Sequence, residues 1–195
     1  LRAEYAYLRA HLEKTLSALR RKRLLGRDAA GKKGFTFDIE IKMGAGAFVC
    51  GEESALLESA EGNRGEPRDR PPFPVSYGYR GLPTTVNNVE TLCAAARVLE
   101  KDVMWFRSLG TVKSTGTKVL SVSGDCSKPG VYEVEFGTAV HRILEMAGGL
   151  DAQAVQIGGP SGQCIPRGQF DRRIAFEDLP TGGSFIIIGP DRELL

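Results

Sequence analysis

The chain has 195 residues, with 26 Lys and Arg against 24 Asp and Glu and a net charge of +2. So even a balance excludes the whole-chain basic footprint of a nucleic-acid or membrane-surface binder. Its 42% hydrophobic content, without an apolar run of membrane-spanning length, is that of an ordinary globular protein.

Leu8, Leu12, Leu16 and Leu19 recur at helical spacing and predict an amphipathic helix over residues 3–24. Arg20–Arg23 crowd its last turn, where basic charge complements the helix dipole, and Gly26 is a candidate cap. An acidic partner is the other reading of that run. Residues 35–42 alternate apolar and polar side chains and predict a half-buried strand. The segment Met43-Gly-Ala-Gly-Ala-Phe-Val-Cys-Gly-Glu-Glu-Ser54 follows it and leads into a predicted helix over 52–61. Gly44, Gly46 and Gly51 let backbone approach a ligand closely, the usual way a strand, a glycine turn and a helix start cradle a nucleotide. The spacing is not the dinucleotide fingerprint, and Glu52 and Glu53 would repel a phosphate. Their plainer reading is dipole compensation in a first helical turn.

Residues 61–83 are rich in Pro, Gly and charge and carry three aromatics. A loop longer than about 15 residues without regular structure is usually functional or disordered, and the Pro-braced Phe73 argues for order. Phe73 reads either as a ring held out for a ligand or as a plug under the loop. Asn87 and Asn88 precede a helical run from Leu92 to Leu99; one Asn suffices as a cap, which leaves an amide for another task. Trp105 and Phe106 are expected to close the first domain's core. Beyond Gly116, strands at 118–124 and 130–135, a helix from Thr138 ended by Gly148-Gly149, and strands at 154–157 and 184–189 follow the order of a small β-grasp module. Gly158–Gly162 reads as a tight loop.

The four cysteines, at 50, 93, 126 and 164, have no close pair of the kind metal sites draw on, so buried or half-buried thiols in a reducing compartment are expected. His11 and His141 fall in helical patterns, and no metal ligand set is predicted. No nucleophile–base arrangement is present either, which argues against hydrolysis.

Three segments, Gly44–Glu53, Arg70-Pro-Pro-Phe-Pro74 and Pro83–Leu92, together resemble the flavin-bearing, NADH-oxidising subunit of respiratory complex I. NAD-reducing hydrogenase diaphorases and NAD-dependent formate dehydrogenases carry the same subunit type. Residues 116–190 are similar to the soluble-ligand-binding β-grasp (SLBB) domain of that family. The resemblance implies an α/β (α+β) fold: the C-terminal part of a Rossmann-like FMN/NADH-binding domain over 1–112, then a β-grasp domain over 113–195. It implies hydride transfer from NADH to FMN and onward passage of single electrons to iron–sulfur clusters. By the same resemblance the Gly44–Glu53 loop, with Gly44, Gly46, Phe48, Gly51, Glu52 and Glu53, lies along the flavin. Phe48 stands where the family often has Tyr. Asn87 and Asn88 match an FMN-contacting pair, Phe73 an aromatic that stacks on adenine, and Arg70 a basic residue, more often Lys, near the nucleotide. Glu53 matches an acid beside the adenosine ribose, which favours NADH over NADPH because a carboxylate accepts from ribose hydroxyls and repels a 2′-phosphate.

The family's first glycine-rich loop is expected upstream of Leu1 and its 4Fe–4S cysteine set downstream of Leu195. The chain therefore reads as a fragment that is inactive alone, with the 4Fe–4S cluster belonging to the full-length parent. Implied partners are a 2Fe–2S thioredoxin-like subunit and an iron–sulfur subunit of a multi-subunit redox complex, with neither nucleic acid nor membrane insertion, in the cytoplasm. Two alternatives stay open: a scaffold or docking module without catalysis, and a ligand site on the β-grasp domain at Gly158–Gln163.

Overall fold

The computed structural model describes residues 1–44 and 46–194; Ala45 of the glycine loop and Leu195 lie outside the described residues. By its contacts the chain separates into two compact units, Leu1–Val86 and Asn87–Leu195.

The first unit opens with a 3-10 segment, Ala3–Leu8, that runs into helix α1 (Arg9–Arg21). The predicted helix is thus shorter than 3–24. Its left-handed terminating residue is Arg23 (φ 56°) rather than Gly26, although Arg20 and Arg21 do occupy its last turn. Helix α2 (Glu53–Glu61) is capped by the Glu52 side chain and closed by Gly62 at φ 88°. Residues 35–42 do not form the expected strand. The Gly26–Phe37 bridge is their one ladder contact among the described residues, and Phe35, Phe37 and Ile39 are exposed. Alternation alone makes a strand only where a partner takes up its backbone groups. The Phe35 and Phe37 rings stack on each other, centroids 6.3 Å apart.

The second unit begins with helices α3 (Val89–Glu100) and α4 (Val103–Ser108). The sequence did not announce α4, whose cap is Asp102, accepting from the Trp105 N–H at 2.7 Å. Trp105 and Phe106 are half-buried in this unit rather than sealing a core in the first, and the tip of the Phe106 ring lies against Gly116, where a Cβ would strike it at 2.5 Å.

Five strands follow: β1 (Thr117–Gly124), β2 (Gly130–Glu135), β3 (Ala154–Ile157), β4 (Gln163–Pro166) and β5 (Ser184–Ile188), in sheet order β2-β1-β5-β3-β4. The pair β1 and β5 is parallel and every other pair antiparallel. That order, with helix α5 (Val140–Ala147) crossing one face, is the β-grasp topology. Val140, Ile143, Leu144 and Ala147 recur at i, i+3, i+4 and i+7 and are buried against Leu120, Val122, Val155, Phe185 and Ile187. Ile186 faces the other way and is exposed, as the two-residue period of a strand requires. Strand β4, with Pro166 at its end, was too short to be read from sequence. The glycines of the β3–β4 turn serve the backbone: a Cβ on Gly162 would overlap the Ile157 carbonyl. No described helix is long and apolar enough to cross a membrane. All four cysteines are free thiols, Cys50 and Cys126 half-buried, Cys93 and Cys164 more exposed than expected.

Candidate functional site

The glycine loop enters from the extended segment, where the Gly44 N–H donates to the Leu1 carbonyl at 2.8 Å. Gly46 turns the chain at φ 89°, a conformation that strains any L side chain. Gly51 differs: its φ is ordinary, and a Cβ there would meet nothing within 4 Å. The chain's own packing does not demand glycine at 51, so the space beside it stays open. Phe48 starts the 3-10 turn Phe48–Gly51 with its ring 87% exposed.

Glu52 and Glu53 have different tasks. Glu52 Oε2 accepts from the Ser54 and Ala55 N–H groups, each at 2.9 Å, and from the Ser54 hydroxyl at 2.5 Å. Its Oε1 accepts from the Arg70 guanidinium. The Ser54 hydroxyl, followed by the Ala55 N–H, holds the Glu52 carboxyl below its ordinary range. Glu52 is therefore the cap of α2, with both oxygens spent. Glu53, one residue on, offers Oε1 to Arg70 Nη1 at 2.8 Å, and its Oε2 has no partner among the described residues. One arginine fork thus spans two carboxylates, a geometry a lysine ammonium lacks.

Arg70 is delivered by the 61–83 loop, and the loop is tied down by Arg68. The Arg68 guanidinium pairs with Glu58 and Glu61, the latter at 2.9 Å, and donates to the Gly78 carbonyl at 3.0 Å. The Arg68 backbone N–H donates to the buried Ser54 hydroxyl at 2.9 Å. The Arg80 N–H and then Arg68 keep Glu61 ionised below its usual value. Gly65 passes so close to the Cys50 thiol that a Cβ would stand 2.3 Å from Sγ. The sequence reading passed over Arg68; the signal was a basic residue in the loop after a helix whose last turns carry Glu58 and Glu61 on one side. Phe73 lies three residues beyond Arg70 in a turn whose carbonyl accepts from Ser76 and Tyr77, and its ring is 54% exposed.

Gly51, Glu52, Glu53 and Arg70 are brought together in the first unit, with Gly44 and Gly46 on the approach to them. The Asn pair belongs to the second unit. Asn88 Oδ1 accepts from the Glu90 N–H at 2.8 Å and caps α3, while Asn87 is exposed and outside the cap. Glu90 also escaped the sequence reading. Its carboxylate reaches out of α3 to β1, accepting from the Val119 N–H at 2.8 Å and from Lys118 Nζ. Burial alone would raise its pKa; Lys118 and the Val119 N–H outweigh that and hold it low. Among the described residues no three His, Cys, Asp or Glu side chains converge as a metal site.

Residues 1–97 match the family model described as the Nuo51 FMN-binding domain. The whole chain is 55% identical to the NAD-reducing hydrogenase HoxS subunit alpha of Cupriavidus necator, covering 33% of that protein. It is 39% identical over 94% of its length to an NADH-quinone oxidoreductase subunit of Salmonella typhimurium, covering 42% of it. With the NADP-reducing hydrogenase subunit HndC of Solidesulfovibrio fructosivorans it shares 43% identity over 92% of its length, covering 37% of that subunit. Among solved structures, an NAD+-reducing [NiFe]-hydrogenase in the H2-reduced state superposes with a TM-score of 0.86 at 45% identity. That match covers 98% of this chain and 33% of the solved one. The chain thus spans between a third and a half of the length of these relatives.

Proposed function

Because this chain belongs, through residues 1–97, to the Nuo51 FMN-binding domain family, we propose that it supplies part of an FMN and NADH site in an NADH-oxidising flavoprotein subunit. The observation that carries this reading is the Arg70 fork, which steadies Glu53 two residues from the open space at Gly51 and leaves Glu53 Oε2 without a partner among the described residues. FMN, when bound, supplies a two-electron hydride acceptor that releases electrons singly. The chain's own residues bind and orient. Gly44, Gly46 and Gly51 let backbone lie along the flavin, and the exposed Asn87 amide, with the Asn88 NH2 left over from capping, donates to it. Phe73 offers an aromatic face to the adenine. Phe48, lacking a phenol hydroxyl, contributes its ring alone.

Glu53 selects the nucleotide. Its free oxygen accepts from a ribose hydroxyl and its charge opposes a 2′-phosphate. The relatives' names include both NAD and NADP, so this residue calls for a direct test. In the full-length, flavin-loaded subunit, Glu53→Gln is expected to raise NADPH oxidation relative to NADH, measured as the ratio of the two kcat/KM values. An unchanged ratio would remove Glu53 from the ribose.

Complete activity, on this proposal, also draws on the glycine-rich loop and 4Fe–4S cluster domain that the family resemblance implies elsewhere in the subunit. Electrons then leave for a 2Fe–2S thioredoxin-like subunit and an iron–sulfur subunit of a cytoplasmic redox complex. We assign the FMN domain to 1–112 and the SLBB domain to 113–195.

A further inference from the structure

Helix α3 presents the Asn87–Asn88 pair, yet it buries none of its residues. A groove of about 780 Å³, lined among others by Val89, Cys93, Arg97 and Val119, runs along it. Helix α3 therefore has no fully buried apolar anchor; Ala94 and Val98 are half-buried. Among the described residues Glu90 is the one polar side chain of α3 bonded outside the helix. It is placed where the sheet needs it. Strand β5 begins opposite Ser121, so the Val119 N–H projects beyond the end of β5 with no strand to receive it. Glu90 Oε1 takes that N–H at 2.8 Å, and Oε2 takes the ammonium of Lys118, whose side chain is only 12% exposed. The Glu90 N–H, in turn, donates to Asn88 Oδ1. Glu90 thus bonds to Lys118 and Val119 of the β-grasp sheet through its carboxylate and to the Asn88 side chain through its backbone N–H.

We propose that Glu90 is a positioning residue that fixes the Asn87–Asn88 amide pair against the β-grasp sheet, so that this sheet controls the geometry with which the pair meets FMN. The proposal rests on the flavin reading of that pair and adds to it a role for the β-grasp domain. Converting the carboxylate to an amide would leave a single acceptor oxygen for the Val119 N–H and Lys118 and free the first turn of α3 to shift.

The test uses the full-length subunit with Glu90→Gln, Lys118→Met, the double variant and Lys118→Arg. FMN affinity is read by flavin fluorescence, and the position of the segment by amide hydrogen exchange over residues 87–92. Glu90→Gln and Lys118→Met should each weaken FMN roughly tenfold, within the range of site-to-site couplings, and accelerate exchange over 87–92. Lys118→Arg should retain most of the affinity, and the double variant should be little worse than either single one. Accelerated exchange with FMN affinity unchanged would overturn the proposal by making Glu90 a structural staple only. Unchanged exchange would overturn it by showing that the clamp positions nothing. If the unsubstituted subunit binds no FMN, the flavin reading itself has failed, before any substitution is made.

Discussion

Arg70 commits its fork to Glu52 and Glu53, and Phe73, three residues on, is with Tyr77 one of the exposed aromatics of this loop. A ring 54% exposed contributes little to stability, and surface truncations usually cost within about 0.5 kcal/mol. Phe73→Ala should therefore leave the melting temperature nearly unchanged and raise the NADH KM more than it lowers kcat, the pattern of lost uniform binding. A collapse of the fold would instead make Phe73 a plug. At this scale the sequence was legible in part. Glu52, Glu53 and Arg70, which the family resemblance groups, do meet in the structure. What separated Glu52 from Glu53 was not legible, because both stand at the same helix start and only the coordinates tell which one turns back onto Ser54 and Ala55. Glutamate is not among the favoured capping residues, so propensity gave no help. Arg68 was hidden for a related reason: its partners, Glu58 and Glu61, are ordinary helix-surface residues until the loop folds over them.

Among the elements, β1 and β5 are joined beyond their ladder by Asp125. This carboxylate accepts from the Gly189 N–H at 2.9 Å and from two nitrogens of Arg192. The Arg192 guanidinium, with the Gly189 N–H, draws its pKa from the ordinary 3.8 to about 2. A carboxyl lowered by folding stabilises the native state above its unfolded pKa, and that contribution is lost as pH falls through the folded one. The β-grasp unit should therefore lose stability between about pH 4 and about pH 2. Asp125→Asn should lower the melting temperature at neutral pH and flatten its fall in that acid window. An identical acid profile in the variant would mean that the Asp125–Arg192 pair is not what titrates. Elements were most legible where the core closes on itself. Strands β2 and β3 occupy the residues predicted for them, and their Val134, Val155 and Ile157 join the core that α5 helps to form. Residues 35–42 alternate clearly and gain a single bridge, Gly26–Phe37, among the described residues, since alternation records a preference for a face and cannot supply the neighbouring strand.

The whole molecule is two units of unequal self-sufficiency. The Asn87–Leu195 unit has a contiguous core running from Leu120 to Ile187. Among the described residues of Leu1–Val86 the buried apolar ones are Leu25, Ala29, Ala55, Leu57 and Pro74, while Leu8, Leu12, Phe35, Phe37 and Ile39 are exposed. So little burial leaves a small margin against the entropy of ordering a chain, and this is the unit that carries the glycine loop, Glu53 and Arg70. The most direct measurement is a titration with FMN, followed by flavin fluorescence. It compares this chain with a longer polypeptide that adds the upstream glycine-rich loop of the family. Binding by the longer polypeptide alone, with NADH then bleaching the flavin, is the predicted result for a chain that supplies part of an FMN and NADH site. Binding by neither, with both folded, would contradict that assignment and leave a scaffold within a redox complex as the function.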